Sequence, residues 1–164
     1  MTREPLSPED YASRISAYVY GNILVLTALV PLNNTSVAHA GFVVIGTGIS
    51  TFIAHAFAES VGRSTRSGRS LTRIEKLEEL RDSVPVLTSA LIPAMVVGMG
   101  GLGWIDLSTA LLLAEIWVVT RIAGITYVIT RLRGERPNRG TLAASITLSL
   151  VAIAIVGVKL LLTH

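Results

Sequence analysis

A chain of 164 residues with 51% hydrophobic and only 15% charged residues is poor in charge for a soluble domain, which carries about 25%. A mean hydropathy of +0.61 fits a polytopic membrane protein, with room for one helical bundle and no separate soluble domain. The absence of cysteine excludes disulfides, thiolate metal centres and cysteine nucleophiles, and the net charge of +3 lies between apolar runs, which reads as membrane topology and not nucleic-acid binding.

Ser7-Pro8-Glu9-Asp10 reads as a helix start, with Ser7 as N-cap, Pro8 in the first helical position and acids in the first turn. A first span follows over about residues 15–32 and carries Tyr18, Tyr20 and Asn22. Ala38-His39-Ala40 imitates a signal-peptide cleavage site. The leading polar region is long and holds Glu4, Glu9 and Asp10, and the apolar run ends well before Ala40, so the expectation is a retained span. Residues 33–40 form a short uncharged loop containing Asn33-Asn34-Thr35, a glycosylation-acceptor pattern.

The second span, residues 41–61, organises the rest. Residues four apart on a helix share a line. Gly46, Ser50, Ala54 and Ala58 make one line, all small, while Thr47, Thr51, His55 and Glu59 make the line beside it, all polar. Small residues admit a second helix closely, and polar ones in hydrocarbon face protein or water. This helix is therefore expected to be the inner wall of a bundle.

Residues 62–85 form an insert. A Gly/Ser/Arg linker with Arg63, Arg66 and Arg69 leads to Thr72 and Glu75, which match a capping box. The short amphipathic helix it opens has an apolar side of Leu71, Ile74, Leu77 and Leu80 and an acidic side of Glu75, Glu78, Glu79 and Asp82. With Arg73, Lys76 and Arg81 interleaved, the acidic side is expected to be solvated.

A third span covers about residues 86–107, with Pro93 inside it and a second small-residue line of Ala90, Ala94 and Gly98. Its end formally matches GxGxxG, but no strand precedes it in a βαβ pattern, so the match carries no dinucleotide site. Trp104 suits a membrane interface. The fourth span, about residues 108–130, holds Glu115 and Arg121, and the fifth, about 141–162, is the most uniformly apolar, with Thr141, Ser145 and Ser149 on one face near its start and Lys159 close to its end.

Basic residues alternate completely across these spans. Arg3 and Arg14 precede the first; Arg63, Arg66, Arg69, Arg73, Lys76 and Arg81 lie between the second and third; Arg131, Arg133, Arg136 and Arg139 lie between the fourth and fifth. The other two loops hold no Lys or Arg. The positive-inside rule then predicts an all-α integral protein of the cell membrane with five spans in one bundle, a cytoplasmic N-terminus and an outside C-terminus.

At 1.5 Å per residue, His55 lies roughly 12 Å from Arg63 and Glu59 roughly 6 Å, with Asn22 in the same cytoplasmic half. Arg121 lies deeper and Glu115 toward the outer half. Ionisable residues at that depth cost about 2.5–3.5 kcal/mol on insertion scales and line a water path or pair with a neighbour. The functional reading is a cytoplasm-facing cavity walled by His55 and Glu59 and floored by Arg121. The structural alternative pairs Arg121 with Glu59 or Glu115. His55 and Glu59 together can hold a proton or contribute two ligands to a divalent metal ion, and Glu75 and Glu79 on the insert are further candidate ligands. No catalytic constellation is present, so an enzyme is not expected.

The segments YGNILVL, TFIAHAFAESVG and RDSVPVLTSALIPA resemble small bacterial polytopic membrane proteins, which implies a fold and no particular activity. Five spans with a helical insert between the second and third are also similar in topology to the vacuolar iron transporter family. That resemblance implies a dimer exporting divalent metal, with Glu75, Glu78, Glu79 and Asp82 where the family gathers metal, although the insert here is one short helix. The expected function is transport of a cation, divalent metal or proton, by a homodimer in the lipid bilayer. The alternative is a non-transporting accessory or assembly subunit.

Overall fold

Residues 15–58 contain no Asp, Glu, Lys or Arg, and neither do residues 83–105. Such segments meet their backbone hydrogen-bonding needs in an apolar medium by coiling on themselves. The computed structural model describes residues 8–32, 35–125, 127 and 139–163, and every regular element among them is a helix. These are α1 (Pro8–Leu29), α2 (Val37–Ser67), α3 (Arg73–Asp82), α4 (Val84–Gly101), α5 (Leu107–Ala123) and α6 (Arg139–Thr163). Ser7, Asn33, Asn34, Thr126 and the loop bearing Arg131, Arg133, Glu135 and Arg136 lie outside the described residues.

Local chemistry sets the boundaries. Ser36 accepts a hydrogen bond from the His39 backbone N–H, so α2 begins at Val37 and not at residue 41. It continues to Ser67, beyond residue 61, until Gly68 stops it in the left-handed conformation at φ 64°. Thr72 and Glu75 form the expected capping box, and Asp106 caps α5 through the Thr109 N–H. Only Ser83 separates α3 from α4, and its αR backbone keeps the two nearly continuous. Val37–Ser67 and Arg73–Gly101 are both long and apolar enough to cross a membrane.

Small residues decide how these helices meet. α4 packs against α1, α2 and α5, and α6 rests on α5. A Cβ on Gly21 of α1 would stand 2.9 Å from the Val86 Cα of α4, and one on Gly48 of α2 would stand 2.5 Å from the Ala90 Cβ. Backbones approach that closely only where no side chain intervenes. The packing glycine of α2 is thus Gly48. Gly46, Ser50, Ala54 and Ala58, the small line expected to face a neighbour, all point out of the bundle, whereas the polar line Thr47, Thr51, His55 and Glu59 is turned inward.

An apolar core built on Val25, Leu26, Leu29, Val44, Val97, Leu111 and Val118 holds the helices together. The interior holds Ala17, Gly48, Ala90, Ala110 and Ala114 with Val and Leu, and also Asn22, Thr51, His55, Ser89 and Glu115. The exterior of α2 presents Phe42 at 78% exposure and Phe57 at 70%, with Ile45, Ile49 and Ile53 between them. Soluble monomers rarely expose a contiguous apolar surface of that extent.

Candidate functional site

The polar line of α2 meets α1, α3 and the start of α4 at the end of the bundle where basic residues gather. Arg14 Nε of α1 donates to Asp82 Oδ1 of α3 at 2.7 Å. Arg63 of α2 donates to Glu79 Oε1 at 3.0 Å and lies 3.5 Å from Glu78 Oε2. Glu79 and Asp82 are buried while Glu78 is exposed, so the acidic side of α3, expected to be solvated, is turned onto the bundle at two of its four positions. Arg14 of α1 and Arg63 of α2 explain this orientation: two buried carboxylates need partners, and these arginines supply them.

Between these pairs lies a small cleft lined by Asp10, Ser13, Glu59, Arg63, Arg66, Glu79 and Asp82, with a volume of about 20 Å³. That is room for a water molecule. Glu59 is half-buried in its wall and makes no hydrogen bond or ion pair among the described residues. Ser13, nine-tenths buried, contributes an Oγ without a partner among the described residues.

One helical turn deeper than Glu59, His55 is 8% exposed and lies beside the Tyr20 ring, with centroids 6.4 Å apart. His55 Nδ1 is 3.1 Å from Ser83 Oγ. The Ser83 hydroxyl donates its only hydrogen to the Glu79 carbonyl at 2.8 Å, so toward His55 it can only accept. Nδ1 therefore carries a hydrogen, and in the neutral ring Nε2 is a bare acceptor. Nε2 is buried and has no partner among the described residues. An unpaired buried acceptor costs about 1–3 kcal/mol unless water or a proton reaches it.

The remaining candidates separate from this group. Arg121 binds neither Glu59 nor Glu115. Its guanidinium donates to the Thr88 carbonyl at 2.6 Å and stacks over the Tyr18 ring at 4.8 Å, while the Tyr18 hydroxyl donates to the Arg121 carbonyl at 2.9 Å. It ties α1, α4 and α5 together and is not the floor of the cleft. Glu115 is buried inside α5 at 1% exposure. Asn22, fully buried, donates to the Tyr18 carbonyl at 2.6 Å and leaves Oδ1 without a partner among the described residues.

Glu75 and Glu79 are not brought together as metal ligands. Glu75 is taken by two Arg69 bonds and by Thr72, which hold its carboxyl well below the usual range, to about 2. Glu79 is taken by Arg63. Among the described residues, no three His, Asp or Glu side chains converge as ligands. Sequence reasoning missed Ser13, Arg14, Ser83 and Thr88. The signal for Arg14 and Asp82 was their position, a lone cation and an acid flanking apolar runs on the same side. Ser13, Ser83 and Thr88 carried no signal of their own. Comparison with protein families, curated proteins and solved structures finds no match to this chain.

Proposed function

We propose that this chain is a small multi-pass protein of the cell membrane that admits protons from the cytoplasm through the cleft at Glu59 to His55. The observation that carries the proposal is the bare, buried Nε2 of His55, one turn behind a half-buried carboxylate in a polar cleft. A carboxylate and an imidazole in that order are a proton-relay pair, and intramembrane groups of this kind mark ion paths. A proton fits the donor set better than a divalent metal, because Glu79 and Asp82 are already neutralised by arginines.

The membrane setting is supported by the exterior, which presents bulky apolar side chains along α2 while Asn22, Thr51, Ser89 and Glu115 are buried. In the proposed topology five spans cross the bilayer, and the end holding Arg14, Arg63 and Arg66 is cytoplasmic. The proposed assembly remains the homodimer expected from the sequence.

The accessory-subunit reading has its own support, since Arg121, Glu79, Asp82 and the Nδ1 side of His55 all sit in closed pairs. Flux separates the readings. Purified protein in liposomes containing a pH-sensitive dye should collapse an imposed pH gradient faster than empty liposomes. Flux of a divalent metal without protons would overturn the choice of ion, and flux of neither would favour the accessory reading.

A further inference from the structure

The outer face of α3 carries an unassigned surface. Projected at 3.6 residues per turn, the ten residues of α3 divide by charge. Glu75, Glu78, Glu79 and Asp82 fall on the side toward α1 and α2. Arg73, Ile74, Lys76, Leu77, Leu80 and Arg81 fall on the other, and all six are exposed, Ile74 at 71% and Leu77 at 64%. Every base and every apolar residue of the helix is thus outward, and of the acids only Glu78, beside Arg63, is also exposed.

We infer that α3, continuing α4 beyond Ser83, occupies the membrane–water interface of the cytoplasmic leaflet, with Ile74, Leu77 and Leu80 facing the acyl boundary and Arg73, Lys76 and Arg81 binding anionic lipid headgroups. The inference rests on the membrane reading proposed above. Two observations select lipid over another occupant. Three bases, Arg73, Lys76 and Arg81, flank the apolar ridge, and the exposed Glu78 is held at its edge by Arg63. That leaves a net positive face, which complements an anionic surface. The apolar ridge also runs on, across Ser83, to the exposed Val84 of α4, four residues after Leu80. Long basic side chains reach upward from such a position while their stems stay in contact with lipid. The inward ion pairs of Glu79 and Asp82 hold the helix in this orientation.

The chain has no cysteine, so single-cysteine spin labels report individual positions. Leu77→Cys, Glu78→Cys and Phe57→Cys are labelled in the full protein, reconstituted in vesicles of phosphatidylcholine alone or mixed with phosphatidylglycerol. Accessibility to oxygen, which partitions into lipid, is compared with that to a water-soluble nickel chelate. The expected result is a Leu77 label several-fold richer in oxygen contact than the Glu78 label, more so with phosphatidylglycerol. Replacing Arg73, Lys76 and Arg81 together by Gln should remove that lipid dependence. A Leu77 label as water-exposed as the Glu78 label, with Phe57 in lipid, overturns this inference and leaves the membrane reading standing. Dipolar coupling between Leu77 labels overturns it in favour of a second copy, and a water-exposed Phe57 label overturns both readings.

Discussion

His55 and Ser83 fix one another's hydrogen-bonding roles: the serine hydroxyl, spent on the Glu79 carbonyl, receives Nδ1–H from 3.1 Å and leaves Nε2 as the acceptor. The contact also joins α2 to the junction between α3 and α4. Ser83→Ala should lower stability by about 1–2 kcal/mol, because Nδ1 loses its partner in a buried site. It should slow proton flux less than His55→Ala does, since the ring remains. Thermal unfolding in detergent and flux of the two variants check both parts.

Two glycines on α2 should respond oppositely to enlargement. Gly48→Val sets a side chain against Ala90, where even a Cβ would come within 2.5 Å, and should cost about 1–3 kcal/mol. Gly46 has nothing within 4 Å of its added Cβ, so Gly46→Ala should be neutral or stabilising within the monomer by up to about 1 kcal/mol. Denaturation midpoints in detergent distinguish them.

Arg121 should behave as a structural residue. Arg121→Met removes the bond to the Thr88 carbonyl and the stacking on Tyr18, and should destabilise the fold by about 1–3 kcal/mol. Flux per folded molecule should stay near that of the unaltered chain. A variant of full stability and no flux would return Arg121 to the ion path.

The capping box of α3 should show a defined pH dependence. The Glu75 carboxyl is held at about 2 in the folded chain by Arg69 and Thr72, against a usual 4.5. A carboxyl depressed by folding contributes stability above its unfolded value and loses it as pH falls through the folded one. The contribution should therefore be constant at neutral pH and fade between about pH 4.5 and 2. Glu75→Gln should remove this acid-side decline from unfolding curves, and an unchanged decline would contradict the pairing.

Much of the helical order was legible because charge-free runs and the Thr72–Glu75 capping box agree, whereas the caps at Ser36 and Asp106 went unread, and with Ser36 the start of α2. The inward turn of Thr51 and His55 was legible because spacing puts them on one line and polar side chains in an apolar run face protein or water. Two further things were not. Periodicity shows that a helix has two faces but not which faces inward, so α3, whose acids are drawn in by Arg14 and Arg63, ran against expectation. Partner choice across helices was equally hidden, since Arg121 found a backbone carbonyl at Thr88, a group every residue possesses.

The central claim is that Glu59 passes protons to His55. Its most direct test is proton flux in liposomes by Glu59→Gln, a change that keeps shape and removes the ionisable group. The account predicts that flux falls by about tenfold or more while the unfolding temperature stays unchanged. Flux equal to that of the unaltered protein would contradict it.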